Sequence, residues 1–291
     1  MCLCKRGRCP HRPGILRRGA ETIEDESGRV VEHRFTSDGI ELDGEMNAPL
    51  RELDTSPTLV LCHGYPDPTV GSVSAGLDLS ELGSRIASTM GWRVFTFRFR
   101  GCGFSGGDFS LGGWRNDILA AVEHVRSTTG IDSVWLAGFG TGGGLCVSAA
   151  ARLPGRVEGV ATMGAPAGFD DWASHTRRLL QHSRKLGVIR DPDYPGPGDG
   201  WAEQLRAIRP VDDAAQIRSL PMLVVHGSDD ESVPVFDARV LADAHGTAEL
   251  RIIAGAGHGL RYDPRVVAIL LGWLDRSRAV RDTASPEEAG S

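Results

Sequence analysis

The order of apolar and polar residues along the chain predicts alternating strands and helices from about residue 30 onwards. Segments with apolar residues at helical spacing predict helices at residues 79–90, 114–126 and 264–275, and a further helix that begins near Thr141. An alternation of this kind is typical of a mostly parallel sheet with helices on both faces. Short apolar runs predict eight strands, at residues 30–35, 40–46, 58–62, 93–97, 133–137, 157–163, 221–225 and 250–253.

A long interruption separates the sixth and seventh predicted strands. Residues 165–218 show a mixed helical pattern with a cluster of Pro and Gly at 191–198. A segment of this length is better explained by an inserted lid than by a connecting loop. We therefore predict one domain at residues 30–278 with a lid insertion at about 165–218, after a disordered basic extension at 1–29 and before a disordered tail at 279–291.

Composition narrows the possible partners. The 291 residues are 41% hydrophobic and carry a net charge of −6, with acids and bases mixed along most of the chain. This mixture provides no broad phosphate-binding surface, so we predict no nucleic-acid partner. No apolar stretch is long enough to span a bilayer and none follows the N-terminal charges as in a secretory signal, so we expect a cytoplasmic protein with no membrane partner. Composition does not indicate the oligomeric state.

Cysteine is used in two different settings. Cys2, Cys4 and Cys9 lie in a basic arm near His11, but their spacing matches no zinc pattern well, so we predict no metal site there. The other cysteines fall in or beside predicted core elements, where a reduced thiol acts as a small apolar side chain; they are Cys62, Cys102 and Cys146.

A glycine-rich corner follows the strand predicted at residues 133–137. The sequence Gly138-Phe139-Gly140-Thr141-Gly142 joins that strand to a helix. This is the setting of the G-x-S-x-G nucleophile elbow, in which a serine is exposed on a strained turn between a strand and a helix. The corner is retained, but Gly140 stands where the serine is expected.

Three further segments follow predicted strands and carry polar residues. His63, Gly64 and Tyr65 form a tight turn after the strand at 58–62, with backbone N–H groups suited to an oxyanion. The seventh strand is followed by a D-x-x-V-P run in which Asp230 is the acid, with Asp229 beside it. The last strand is followed by a Gly-rich loop that ends at His258.

These motifs resemble the α/β-hydrolase superfamily, and within it the serine aminopeptidase-like hydrolases with a small lid. The His63-Gly64 turn, the Gly138 to Gly142 corner, the D-x-x-V-P run and the final Gly-His occur in the family's order. The resemblance covers residues 30–278 and implies an eight-stranded, mostly parallel sheet with helices on both faces and a small helical lid. It also implies Asp230 as the acid and His258 as the base, with the N–H groups of Tyr65 and Thr141 as oxyanion donors.

Three other residues have a hydroxyl or thiol that could replace the missing serine, but each is better explained by a structural role. Ser105 lies in a second G-x-S-x-G string, but it lacks the strand-turn-helix context, so we interpret it as a loop residue. Thr141 begins a helix, where its hydroxyl is better suited to capping, and Cys62 ends a core strand, where packing is the better interpretation.

Two functions remain open. One is a hydrolase of ester or amide type, in which the Asp230-His258 dyad activates water and acts on a small organic acyl substrate without a cofactor. The other is a non-catalytic pseudo-hydrolase that binds a ligand or partner under its lid. Deliberate replacement of a natural serine would also place glycine at position 140. Apolar lid residues suited to lining such a pocket are Phe169, Trp172, Leu179, Leu180, Leu186, Ile189 and Trp201.

Overall fold

In the computed structural model, which describes residues 22–25, 28–49, 51, 56–69 and 71–284, nine strands form a single sheet. The strands are β1 (Thr22–Asp25), β2 (Gly28–Ser37), β3 (Ile40–Ala48), β4 (Thr58–Cys62), β5 (Arg93–Phe97), β6 (Val134–Phe139), β7 (Val157–Met163), β8 (Met222–Gly227) and β9 (Glu249–Ile253). The helices are α1 (Leu77–Met90), α2 (Leu111–Thr129), α3 (Gly140–Ala150), α4 (Asp170–Ser174), α5 (Thr176–Leu186), α6 (Trp201–Ala207), α7 (Pro210–Ala214), α8 (Val235–His245) and α9 (Pro264–Ala284).

The sheet order is β1-β2-β3-β5-β4-β6-β7-β8-β9. The pairs β1/β2, β2/β3 and β3/β5 are antiparallel, and all the later pairs are parallel. Every residue of β4, β5, β6 and β8 is buried, as expected for strands covered by helices on both faces. Parallel strands end at the same edge of a sheet, so the loops after β4, β6, β8 and β9 converge there.

The predicted α/β-hydrolase architecture is confirmed, with differences at its ends. Strand β1 adds a ninth strand by pairing with β2, and both begin inside the segment predicted as an extension. Helix α9 continues to Ala284, past the predicted domain end at 278. A short strand and a last helical turn made mostly of polar residues have weak sequence signals. The predictions for residues 1–21, including Cys2, Cys4, Cys9 and His11, lie outside the described residues.

Two apolar clusters cover the sheet, one on each face. Trp114 is stacked on Phe99 in one cluster, with ring centroids 4.4 Å apart. Trp135 contacts both Trp92 and Trp273 in the other. Trp114 and Trp273 are therefore buried core residues.

The segment between β7 and β8 contains α4 to α7, and we refer to it by its predicted role as the lid. Two hydrogen bonds join it to the body of the protein: the Phe109 N–H donates to the Val188 carbonyl at 2.8 Å, and Trp201 Nε1 donates to the Phe109 carbonyl at 2.9 Å. No helix in the described ranges is long and apolar enough to cross a membrane.

The β6–α3 corner packs directly against the end of β4. A Cβ on Gly142 would lie 2.1 Å from the His63 carbonyl oxygen, and a Cβ on Gly138 would lie 2.6 Å from the Gly142 carbonyl carbon. Backbone atoms cannot give way by that amount without moving a whole strand or helix. The glycines at 138 and 142 therefore allow α3 to begin without a loop.

We predict that Gly142→Ala lowers the free energy of unfolding by about 3 kcal/mol or more, because the new methyl group displaces the end of β4. Gly272→Ala is the matched control: it also replaces a helical glycine, but its Cβ would meet only the terminal Nη1 of Arg276, at 3.3 Å. The control should be unchanged or stabilised by up to about 1 kcal/mol. Urea unfolding measures both variants, and equal effects would contradict the packing argument.

A second prediction concerns His63, which is buried with edge contacts to the rings of Phe99 and Trp114. Burial lowers its pKa from 6.5 to about 4. Between these two values the unfolded chain binds a proton that the folded chain does not, so the free energy of unfolding should fall by about 3 kcal/mol as the pH drops from 6.5 to 4. The decrease in the free energy of unfolding over this pH range should be smaller in His63→Gln, because the glutamine side chain does not titrate. NMR titration of the His63 Cε1–H resonance provides a direct check, and a midpoint near 6.5 would contradict it.

Candidate functional site

The site is centred on Gly140, the first residue of α3. Its φ of 50° lies in the left-handed region, which glycine adopts without steric cost. Strand β6 ends at Phe139 with an extended backbone, so the chain turns from strand to helix at this single residue. Every residue of α3 is buried, and the positive end of the helix dipole points at the corner.

The turn after β4 lies against this corner. A Cβ on Gly140 would be 3.8 Å from the Cα of Gly64, and a Cβ on Gly64 would be 3.0 Å from the Phe139 carbonyl oxygen. His63 fixes the turn, because its Nδ1 donates to the Gly64 carbonyl at 2.7 Å and its Nε2 accepts from the Phe99 N–H at 3.2 Å. With both ring nitrogens engaged in backbone contacts, His63 has a structural position beneath the site.

Asp230 and His258 form a hydrogen-bonded pair between the loops after β8 and β9. His258 Nδ1 lies 2.8 Å from Asp230 Oδ2. The carboxylate is fully buried, whereas the imidazole side chain is 42% exposed. The other carboxylate oxygen, Oδ1, accepts from the N–H groups of Ser232 and Val233, each at 2.9 Å.

The hydrogen bonds determine the charge state of the carboxylate. Burial raises the pKa of Asp230, but hydrogen bonds from His226, His258 and the Val233 N–H outweigh burial and hold that pKa well below the usual range. Asp230 therefore stays ionised at neutral pH. A carboxylate in this position favours the His258 tautomer with the proton on Nδ1 and leaves Nε2 able to accept a proton.

His226 is a member of this cluster that the sequence analysis did not identify. It is fully buried, with Nε2 at 3.0 Å from the Val233 carbonyl and 3.3 Å from Asp230 Oδ2. It therefore links the end of β8 to the loop that carries the acid. In the sequence, only its position four residues before Asp230 could have indicated a role for His226. A histidine at the end of a strand belongs to no motif that would mark it as a site residue.

The free nitrogen of His258 faces Gly140. A Cβ built on Gly140 would lie 3.4 Å from His258 Nε2 and 3.6 Å from Cε1. The imidazole and the corner are brought together by the sheet, since residues 140 and 258 lie on different loops far apart in sequence. The structure therefore places the predicted base beside the position at which the serine was expected.

The predicted oxyanion donors border the same space. Tyr65 follows Gly64 in the turn, and Thr141 lies in the first turn of α3, where backbone N–H groups have no partner within the helix. In the described part of the chain, the N–H groups of Tyr65 and Thr141 have no acceptor. Both are available to a negatively charged oxygen.

A cavity of about 570 Å³ opens above these groups. Gly140, Thr141, Tyr65 and His258 lie on its floor, and the lid provides its roof. Of the seven apolar lid residues named from the sequence, three line this cavity: Phe169, Trp172 and Leu179. The other four, Leu180, Leu186, Ile189 and Trp201, pack the lid onto the core.

Of the alternative nucleophiles, Thr141 lines the cavity, whereas Ser105 and Cys62 lie elsewhere. Ser105 is buried in a loop, where its Oγ donates to the Arg98 carbonyl at 2.6 Å and accepts from the Asp43 N–H at 3.0 Å. Cys62 and Cys102 are fully buried, and burial raises the pKa of both thiols, which disfavours the reactive thiolate. None of these three side chains lines the cavity.

Comparison with known sequences gives a consistent result. A family model described as "alpha/beta hydrolase fold" matches residues 57–196. The human protein ABHD12B is 28% identical over 62% of this chain and 48% of its own length. The 2-hydroxymuconate semialdehyde hydrolase of Pseudomonas putida is 30% identical over 47% of this chain and 61% of its own length. The chain thus matches about half to three-fifths of each of these curated relatives.

Solved structures show the same fold. Est1E from Butyrivibrio proteoclasticus superimposes with a TM-score of 0.63 at 19% identity, covering 85% of this chain and 99% of Est1E. A meta-cleavage product hydrolase from Pseudomonas fluorescens superimposes with a TM-score of 0.60 at 17% identity, covering 84% of this chain and 98% of the other. The sheet order, the corner and these matches together show that the chain has the α/β-hydrolase fold.

Proposed function

We propose that the protein is a hydrolase of ester or amide type in which His258, oriented by Asp230, activates a water molecule beside Gly140. The observation that carries this proposal is the distance of 3.4 Å between His258 Nε2 and the point where a Cβ on Gly140 would lie. Glycine leaves room at that point for a water oxygen within hydrogen-bonding reach of the base.

The reaction has two steps. Nε2 takes a proton from the water as its oxygen bonds to the acyl carbon, and the acyl oxygen becomes an oxyanion held by the N–H groups of Tyr65 and Thr141. The intermediate then expels the alcohol or amine, which receives the proton from His258, and the carboxylic acid is released. Asp230 stabilises the imidazolium formed between the two steps.

The proposed substrate is a small organic acyl compound. A cavity of about 570 Å³ is of the size that holds small ligands, and aromatic side chains of the lid line it. The named relatives include a hydrolase of 2-hydroxymuconate semialdehyde, and one Est1E structure contains ferulic acid. Both are organic acids or aldehydes of modest size, which supports the same class here.

The second candidate is a binding protein that has lost catalysis. The observation in its favour is Gly140 itself, because removal of the serine from a triad costs several orders of magnitude in rate. The lid and cavity would then hold a ligand without converting it. The two candidates differ in one measurable respect, which is whether product forms in amounts greater than one equivalent of protein.

The first test is His258→Ala, assayed for hydrolysis of 4-nitrophenyl acetate and butyrate. We expect kcat/KM to fall by at least about a hundredfold, because a positioned general base contributes about 10²–10⁴ to rate. His33→Ala is the control for unspecific catalysis by imidazole, since His33 lies on β2 and does not line the cavity. Equal turnover by His258→Ala and the unmodified protein would rule out the proposed mechanism, and binding without product would favour the second candidate.

The second test is Gly140→Ser. Since the base, the acid and the N–H groups already surround this position, we expect esterase kcat/KM to rise by at least about a hundredfold. The left-handed backbone should cost the variant about 1–3 kcal/mol in unfolding free energy. Gly155→Ser is the matched control, because Gly155 also has a positive φ, 71°, but no atom within 4 Å of its Cβ position.

A fluorophosphonate probe tests whether the nucleophile position lies at the β6–α3 corner. It should label the Gly140→Ser variant at the introduced hydroxyl and leave the unmodified protein unlabelled. Labelling of the unmodified protein at Ser105 would show that the nucleophile position has been assigned to the wrong segment.

A further inference from the structure

The lid helix α5 has an unusual charge. Its sequence, TRRLLQHSRKL, contains four permanent cations and no acidic residue, in a chain whose net charge is −6. The basic residues are Arg177, Arg178, Arg184 and Lys185, with His182 between them. A local concentration of positive charge on an acidic protein produces a field that attracts anions to that place.

Part of this charge forms a stripe along one face of the helix. His175, Arg178, His182 and Lys185 are spaced by three, four and three residues, which places them in one row. All four line a second cavity, of about 410 Å³, on the outer side of the lid. We call this row the cationic stripe.

The second cavity adjoins the first. Asp171, Trp172, Leu179 and His182 line both, so the cationic stripe lies one side chain away from the space above Gly140. The ring of His182 is stacked on Tyr65, with centroids 6.1 Å apart, and Tyr65 belongs to the turn beside Gly140. An apolar contact surface therefore leads from the candidate site to the stripe.

The cations of the stripe are free to bind an external anion. Arg178 and Lys185 make no ion pair or side-chain hydrogen bond with other residues of the described ranges, whereas Arg184 donates to the carbonyls of Pro192 and Tyr194. The one acid that lines the cavity, Asp171, lies 3.1 Å from His175 Nδ1. Two permanent cations, Arg178 and Lys185, against this one carboxylate leave the net charge of the cavity lining positive.

We propose that the substrate or ligand is an acyl compound with a free carboxylate at its far end, which Arg178 and Lys185 bind while the acyl group lies above Gly140. This inference deepens the proposed function, since it names the class of compound taken by the same site. Trp172 and Leu179 would contact the apolar chain between the two ends. A guanidinium and an ammonium both donate charge-assisted hydrogen bonds to a carboxylate.

Binding of amides tests the inference separately from catalysis, since any hydrolysis of a 4-nitroanilide during the measurement is seen as release of coloured 4-nitroaniline. The probes are the 4-nitroanilide half-amides of succinic, adipic and suberic acid, each compared with the neutral 4-nitroanilide of butanoic, hexanoic or octanoic acid. At 20 mM NaCl, calorimetry should show at least one half-amide binding about fivefold or more tightly than its neutral counterpart. This preference should decrease at 300 mM NaCl, because salt screens exposed charges.

Two variants locate the effect. The double variant Arg178→Ala/Lys185→Ala should abolish the preference and leave the affinity for the neutral amide unchanged. Arg177→Ala is the matched control, because Arg177 is a cation of the same helix that lines neither cavity. It should keep the preference.

Equal affinity of the acidic and neutral probes throughout the series would overturn the inference, as would failure of all probes to bind. An equal loss in Arg177→Ala would also overturn it, because the attraction would then come from the whole helix and not from the stripe. Failure of the proposed function is seen separately: the preference in binding would persist while His258→Ala left ester hydrolysis unchanged.

Discussion

The close packing of the β6–α3 corner against the end of β4 is the constraint on which the rest of the site depends. Backbone meets backbone there, because a Cβ at Gly142 would lie 2.1 Å from a carbonyl oxygen of His63. This contact fixes the start of α3, and with it the N–H of Thr141, relative to the turn that carries Tyr65. Both N–H groups are main-chain groups and do not depend on the side chain at position 140.

A buried acid and a partly exposed base complete the arrangement. Asp230 stays ionised although it is fully buried, because hydrogen bonds from two histidines and two backbone N–H groups compensate for the loss of water. His258 extends from this anchor towards Gly140. An anchored imidazole next to a residue with no side chain can act on water, which is why we favour hydrolysis over ligand storage.

The lid combines two properties that differ from those of the body. Its inner surface presents aromatic and aliphatic side chains to the cavity, and its outer helix α5 carries cations without acids. These properties suit a ligand that is apolar along its length and anionic at one end. The segment between β7 and β8 is held on the body of the protein by apolar packing and by hydrogen bonds such as that from Trp201 Nε1 to the Phe109 carbonyl.

The sequence by itself determined the sheet and the composition of the corner. Buried parallel strands require continuous apolar runs, and three of the predicted strands, β4, β5 and β7, have the bounds found in the structure. The sequence places glycine at 138, 140 and 142 of the corner. Backbone packing in the structure admits no other residue at 138 and 142. Tertiary structure alone decided that His258 faces Gly140, that His226 supports Asp230, and that Ser105 is a buried loop residue. The contact of His258 with Gly140 joins elements far apart in sequence, and its geometry follows from the order of strands in the sheet, which no local pattern encodes.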